Sequence, residues 1–461
     1  MFFCKFNPAK IIDFNNTPLC LNNNSINDSN SKNNPSVYNI LNNNIDTINS
    51  EKIVNKLLKI NENNENNENN ENKLIQSNCL KDLEIFSGLD DETHSIFNNI
   101  NKTQTIFGNL FFKNILNNPI KDIKLLKSRQ KIIKDLKKNN TLLTSINDKL
   151  TQLKKLQNDF IWIVRDKTDE EQKIIDSVYF NNQYLQFLNN NEEALTIYSL
   201  FKIVFAPLYG IISPIVFFLL PYLYIIFFTN IKFDFKLYIK IFKTTIFGGG
   251  GLSMLTGNSG GKSMLSKYFS IALSVIIYVQ NLFNSIDVAK NTNNIVNIIH
   301  SKLNNINKFI TLSKELLNDT KSILNKHDIK ISNILENELF THEPHLFSNK
   351  GKLLINYKLF NTQVKDTKNL EYLYIIGELD MYTSIISLMD SYKNTNTNIC
   401  FSNYSENKQP LINTSNIWHP YLSDNIVTNN INIGDKTPRN ILITGPNAGG
   451  KSTFIKSLAI S

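Results

Sequence analysis

Cysteine is scarce in this chain of 461 residues: Cys4, Cys20, Cys79 and Cys400, irregularly spaced and without a C-x-x-C pair. That argues against a disulfide framework or a zinc site and fits a reducing compartment. The sequence predicts no secretory leader, because Lys5 at once ends the apolar start Met1-Phe2-Phe3. Charge is sparse at 19%, against 41% hydrophobic residues, which is enough apolar content for a sizeable core and two or three domains. Acid is the scarcer sign, with 40 Asp and Glu against 49 Lys and Arg and a formal net charge of +9. This basic balance suits an anionic partner, DNA or an acidic membrane surface, without choosing between them.

Charge is absent altogether from Ile203 to Thr229, where Phe, Ile, Leu and Tyr dominate. As a helix that stretch is about 40 Å long, more than the roughly 30 Å hydrocarbon core of a bilayer. Pro207, Pro214 and Pro221 recur every seven residues and so lie close to one face. Each costs about 3 kcal/mol inside a water-soluble helix, whereas membrane helices tolerate such kinks because neighbours re-satisfy the freed carbonyls. A second uncharged stretch runs from Tyr268 to Ile286. Together they predict a membrane hairpin of two transmembrane helices; the alternative is a buried hairpin of a soluble domain. Between them lie Lys232, Lys236, Lys240, Lys243, Lys262 and Lys267 against Asp234 alone. The positive-inside rule would keep that basic connector cytoplasmic. Re-entrant insertion from the cytoplasmic side reconciles this with a nucleotide site in the cytoplasm.

The rest of the chain divides by composition. Residues 1–78 are Asn-rich, with a tandem Glu-Asn-Asn repeat at Glu62, Glu65, Glu68 and Glu71, and are expected to be largely disordered apart from a short helix near Ile53 to Ile60. From 79 to 200 apolar residues recur at helical spacing, as in Ile106, Leu110, Phe111 and Ile115, with Pro119 marking a break and one long helix expected over Leu125 to Leu156. The hairpin fills 201–286. Helical periodicity returns over 287–395, including a helix from Glu371 to Met389, and 396–461 alternates short apolar pieces with polar turns. The predicted fold is therefore mostly α, followed by the start of an α/β domain.

That last region carries the sharpest motif. Gly445-Pro446-Asn447-Ala448-Gly449-Gly450-Lys451-Ser452 fits G-x-x-x-x-G-K-[ST], the phosphate-cradling P-loop, or Walker A motif. Asn440 to Thr444 reads as the buried strand before it and Thr453 onward as the helix after it, the order the motif requires. Glycines let backbone N–H groups turn onto phosphate oxygens, and the helix N-terminus adds its positive dipole end. Lys451 can reach the β- and γ-phosphates of ATP, and Ser452 can hold Mg²⁺. The predicted nucleotide-binding set is Gly445, Pro446, Asn447, Ala448, Gly449, Gly450, Lys451, Ser452 and Thr453. No acidic metal-binding strand follows within the sequence, so an incomplete ATPase domain is expected and no catalytic residue is assigned. Two other motifs are set aside. Gly257 to Ser263 imitates a P-loop, but Thr256 stands where glycine is needed, and Pro344 disfavours the helix that a metal site at His342 and His345 would require.

Several of these segments resemble the MutS family of DNA mismatch-repair ATPases. Thr444 to Thr453 is similar to that family's TGPNxxGKST signature, with Ala448 where Met is usual. Trp418-His419-Pro420 resembles its RHP element with Trp for Arg, Val427 to Ile431 the piece leading to the nucleotide-binding strand, and Glu378-Leu379-Asp380 an ELD element. Ile100 to Gly108 resembles the N-x-T-x-T-x-x-G start of the family's lever domain, followed at suitable distances by Asn118-Pro119 and Arg129. The resemblance implies ATP binding, dimerisation with a homologous or identical subunit, and nucleotide-driven movement of helical levers. The sequence shows no Phe-x-Glu wedge of the family's N-terminal mismatch reader, only the Asn-rich region, and the apolar hairpin occupies a place similar to that of the DNA-clamp insertion. This points to the membrane-associated MutS-like subgroup. Two alternatives stay open: a soluble ATPase that binds mismatched DNA, and a non-catalytic truncated remnant.

Overall fold

The computed structural model describes residues 40–41, 47–57, 77–87, 95–228, 234–247, 264–329, 331–335, 349–364, 370–392, 399–406, 411–420, 426–434 and 437–460. The Glu-Asn-Asn repeat, the P-loop imitation at Gly257 to Ser263 and the His342 to His345 segment lie outside these residues. Helix dominates. In chain order come α1 (Thr47–Leu57), α2 (Ser77–Asp82), α3 (Ile96–Ile100), α4 (Ile106–Asn117), α5 (Ile123–Lys138), α6 (Asn140–Val164), α7 (Asp169–Asp176) and α8 (Glu192–Leu200). These are followed by α9 (Ala206–Phe228), α10 (Phe235–Phe247), α11 (Met264–Lys326), α12 (Ser332–Leu335), α13 (Lys350–Gln363) and α14 (Glu371–Ser391). Two strands, β1 (Leu411–Ile417) and β2 (Asn429–Gly434), precede α15 (Lys451–Ile460).

Local chemistry sets the helix starts. Thr105, Asp122, Asn139, Asn191 and Asn349 each cap a helix by accepting a backbone N–H two or three residues on. The cap at Asn139 corrects the expected single helix over Leu125 to Leu156. Its side chain accepts from the Leu142 N–H at 3.1 Å and divides the stretch into α5 and α6. The apolar periodicity runs on across the break, which hides it. Pro119 separates α4 from α5 as predicted. Within the Asn-rich region α1 packs on the core: Val54 is buried, and Glu51 pairs with Lys113 at 3.1 Å.

The core lies where α6 crosses the second half of α11 and where α14 crosses α4. Ile295, Ile299, Leu303, Ile306, Ile310, Leu317 and Leu324 put one stripe of α11 into it. Phe160 of α6 stacks on Phe309 of α11 at 4.5 Å, and Phe107 of α4 meets both rings edge-on or tilted. α13 packs on α8 so closely that a Cβ at Gly351 would lie 1.9 Å from the Glu192 carbonyl oxygen.

The apolar stretches behave differently. α9 contains Pro214 and Pro221 and buries none of its side chains; Phe217, Phe227 and Phe228 are 71%, 75% and 78% exposed. A π turn at Phe201–Phe205 precedes it, with the Ala206 N–H reaching back to the Phe201 carbonyl. The second apolar stretch is not a separate helix. It forms the first part of α11, 63 residues or about 95 Å long, so one rod joins the hairpin to the core. Among the described residues, two helices are long and apolar enough to cross a membrane, by length and composition alone: Glu192–Phe228 and Ala272–Lys326. α9 runs against α11, with the Tyr278 hydroxyl 3.3 Å from the Ile211 carbonyl.

Gly351→Ala should cost about 3 kcal/mol, because the clash is with backbone that cannot rotate away. Urea unfolding followed by far-UV circular dichroism measures it, and an unchanged midpoint would contradict the close α8–α13 approach.

Candidate functional site

The P-loop region folds as a turn feeding a helix. The Gly449 N–H donates to the Pro446 carbonyl at 3.1 Å, and the Phe454 N–H to the Gly450 carbonyl at 2.9 Å, which starts α15. Ala448 and Gly450 take left-handed backbone angles, φ +61° and +80°. At Gly450 only glycine does so without strain. A Cβ on Gly449 would crowd the Pro446 carbonyl oxygen at 3.0 Å. Lys451 folds its ammonium back over the loop, donating to the carbonyls of Gly445 at 2.7 Å and Pro446 at 2.5 Å. Ser452 is exposed at the first turn of α15. These residues fit a bound nucleotide phosphate: a wrapped loop, a cation over it, a hydroxyl at the helix start and a positive dipole end. The segment Asn440 to Thr444 departs from the expected buried strand. It forms no ladder among the described residues, and Ile441 and Leu442 are 47% and 89% exposed. A strand exists only against a neighbour, and none of the described residues pairs with this one in a ladder. β1 and β2 pair antiparallel with each other instead, Ile412 opposite Ile433 and Thr414 opposite Ile431.

A second constellation lies in the helical core and joins two segments far apart in sequence. Asp380, fully buried on α14, accepts from the Gln104 N–H at 3.0 Å, from the Thr105 N–H at 2.8 Å and from the Thr105 hydroxyl at 2.7 Å. The same hydroxyl caps α4 by accepting from the Gly108 N–H at 3.1 Å. Gly108 is required here, since a Cβ would fall 2.2 Å from Asp380 Oδ2. Two residues before Asp380, Glu378 lies 3.4 Å from Arg129 Nε and accepts from the Tyr382 hydroxyl at 2.6 Å. Ser384 accepts from the Lys102 N–H at 2.8 Å. Burial pushes the Asp380 carboxyl above its usual range, opposed by the hydrogen bonds from Gln104 and Thr105 and by the charge of Lys154. The structure thus brings together Asn101 to Gly108, Arg129 and Glu378 to Asp380, three elements read separately from the sequence.

The two constellations do not touch. They are linked through α15, whose Lys456 pairs with Glu84. The Glu84 and Ile85 carbonyls accept the Ile96 and Phe97 N–H groups at 3.0 and 2.9 Å, at the start of α3 just before the Asn101 loop. His419 is buried beside this pair, and burial, then Lys456, hold its imidazole below the usual range while Glu84 opposes them. Trp418 meets Tyr392, at the end of α14, with ring centroids 5.2 Å apart. Sequence reasoning missed Glu84 and Lys456. Neither belongs to a motif, and no local spacing connects them.

The fold and these contacts define a helical core stapled by a buried aspartate. Residues 78–195 match the family model for MutS domain III. The chain is 24% identical to the DNA mismatch repair protein MSH3 of Candida albicans over 434 residues, covering 84% of this chain and 39% of the relative. It is 31% identical to the MSH3 of Debaryomyces hansenii over 151 residues, 31% of this chain and 14% of the relative. Against the endonuclease MutS2 of Leuconostoc citreum it is 46% identical over 59 residues, 11% of this chain and 7% of the relative. The chain therefore spans well under half the length of these relatives. No solved structure matches. The domain match and the MSH3 relatives together make the chain similar to MutS-family mismatch-repair proteins.

Asp380→Asn would turn an amide NH₂ toward donors, leaving buried N–H groups unsatisfied at a cost of about 3 kcal/mol. Gly108→Ala should destabilise to a similar degree by overpacking, about 3 kcal/mol. Both are read from urea midpoints, and a neutral Asp380→Asn would remove the staple from the account.

Proposed function

We propose that the chain is an ATP-binding switch of the MutS type. Gly445 to Thr453 holds Mg-ATP on the cytoplasmic side, the helical core moves with nucleotide state, and the apolar hairpin attaches it to a membrane. The observation that carries this reading is Lys451. Its ammonium lies over a wrapped Gly-rich loop at a helix N-terminus, where the γ-phosphate of a nucleotide would replace the loop carbonyls as its partner. Gly449, Gly450 and Lys451 would offer backbone N–H groups, and Ser452 a hydroxyl to Mg²⁺. The metal, when bound, supplies charge neutralisation across the phosphates. The apolar surface that α9 leaves exposed beside α10 and α11 supports the membrane part, because a helix apolar all round needs apolar surroundings. The resemblance extends this to a homo- or heterodimer whose second subunit completes the site. Lys451→Ala should weaken binding of a fluorescent ATP analogue by about tenfold to a hundredfold, and unchanged affinity would overturn the nucleotide reading.

A second reading, mismatched-DNA binding, is favoured by the names of the MSH3 relatives and by the net charge of +9. It predicts tighter binding to a mismatched than to a matched duplex at every salt concentration. Equal binding that falls steeply with salt is phosphate attraction alone and would defeat it.

A further inference from the structure

The basic connector of the hairpin contains a helix that its composition does not announce. α10 folds back along the second half of α9. Phe235 meets Tyr222 at 4.9 Å, Tyr238 meets Tyr222 at 5.1 Å and Phe218 at 5.5 Å, and Phe242 meets Phe218 at 4.7 Å. The Tyr238 hydroxyl donates to the Phe218 carbonyl at 2.6 Å, next to the Phe217 carbonyl that Pro221 leaves without its helical donor. At about 100° per residue, Lys236, Lys240 and Lys243 fall within an arc of roughly 60° on the side of α10 facing away from these aromatic contacts. All three lysines are exposed, and α10 contains no acidic residue. Leu237 and Ile241, beside the lysine row, are 48% and 44% exposed.

This packing conflicts with a perpendicular span. If α9 crossed a bilayer from Ala206 to Phe228, Phe218 would lie about 15 Å from the far end, near the middle of the hydrocarbon. Lys240 and Lys243 would be level with it, where each buried charge lowers insertion roughly a hundredfold. A shallow, inclined arrangement avoids the cost: α11 slopes down from the core, α9 and the first part of α11 dip into one leaflet only, and α10 sits at headgroup depth. Apolar side chains then meet lipid, the lysine row meets phosphate, and connector and P-loop remain on the same side of the membrane.

We propose that the lysine face of α10 is a docking surface for anionic lipid headgroups, and that the hairpin enters one leaflet without crossing. This rests on the membrane reading above and specifies its partner and topology. The test uses the full chain with sealed vesicles of neutral phosphatidylcholine, with and without phosphatidylserine. Wild type should bind the anionic vesicles far more tightly, an advantage that salt removes. Lys236→Gln/Lys240→Gln/Lys243→Gln should lose about a hundredfold of that advantage, about fivefold for each basic residue. It should match wild type on neutral vesicles, and Arg at the three positions should restore binding. Lys243→Cys, in a chain whose other cysteines are Ser, should react equally with an impermeant maleimide before and after detergent. Absence of binding to any vesicle would fail the membrane reading itself. Binding without anionic preference, reaction only after detergent, or a triple-Gln defect confined to duplex DNA would overturn the present inference.

Discussion

The helical core depends on one carboxylate. Asp380 binds two consecutive backbone N–H groups and a hydroxyl on a segment 275 residues earlier in the chain. A buried carboxylate is costly unless each lone pair is used, so this site tolerates only one arrangement of α4 against α14. Thr105 makes the requirement stricter, because its hydroxyl both starts α4 and donates to Asp380. Gly108 and Gly377 admit the approach: a Cβ at Gly377 would meet the Phe107 carbonyl oxygen at 2.8 Å. Apolar packing alone would let two helices slide by a turn. The staple fixes their register, and the aromatic stack of Phe107, Phe160 and Phe309 then brings α6 and α11 onto the same frame.

From that frame α11 projects as one rod. Its second half is striped for burial, and its first half exposes Phe269, Leu273, Ile276 and Phe283. A displacement of the core is therefore felt at the hairpin without an intervening joint. Lys456 on Glu84 links α15 to the segment that starts α3, beside the loop held by Asp380. A short contact path therefore runs from the helix that follows the P-loop toward the staple, through one side-chain ion pair and then main-chain hydrogen bonds.

Much of this was legible in the sequence, and the exceptions share a cause. Apolar spacing located α4, α11 and α14, Pro119 marked a boundary, and the Gly-rich loop was placed before a helix. The contact between Asn101–Gly108 and Glu378–Asp380 is a different case. The resemblance marked each segment separately and did not bring them together, since nothing local shows that a carboxylate and a Thr-rich loop will meet. The break at Asn139 was hidden because a capping residue need not interrupt the apolar pattern on either side. α10 was hidden by its lysines, which drew attention to charge and away from the aromatic residues Phe235, Tyr238 and Phe242 at helical spacing between them. The expected strand at Asn440 to Thr444 failed for another reason: strand propensity is local, but a ladder needs a second chain segment.

That failed strand and the hairpin both expose apolar side chains, yet they call for different cover. Around Ile441 and Leu442 the backbone forms no ladder, so its N–H and C=O groups need partners as much as the side chains need burial. Hydrocarbon cannot supply them, and a neighbouring strand can. Along α9 the helix satisfies most of its backbone internally, and many apolar side chains stay exposed beside its contacts with α10 and α11. Its protein neighbours α10 and α11 cover part of this helix and would leave the rest in water, whereas lipid covers what remains without asking for a hydrogen bond. The state of the backbone, more than the amount of apolar surface, separates the surface suited to a protein neighbour from the surface suited to a membrane.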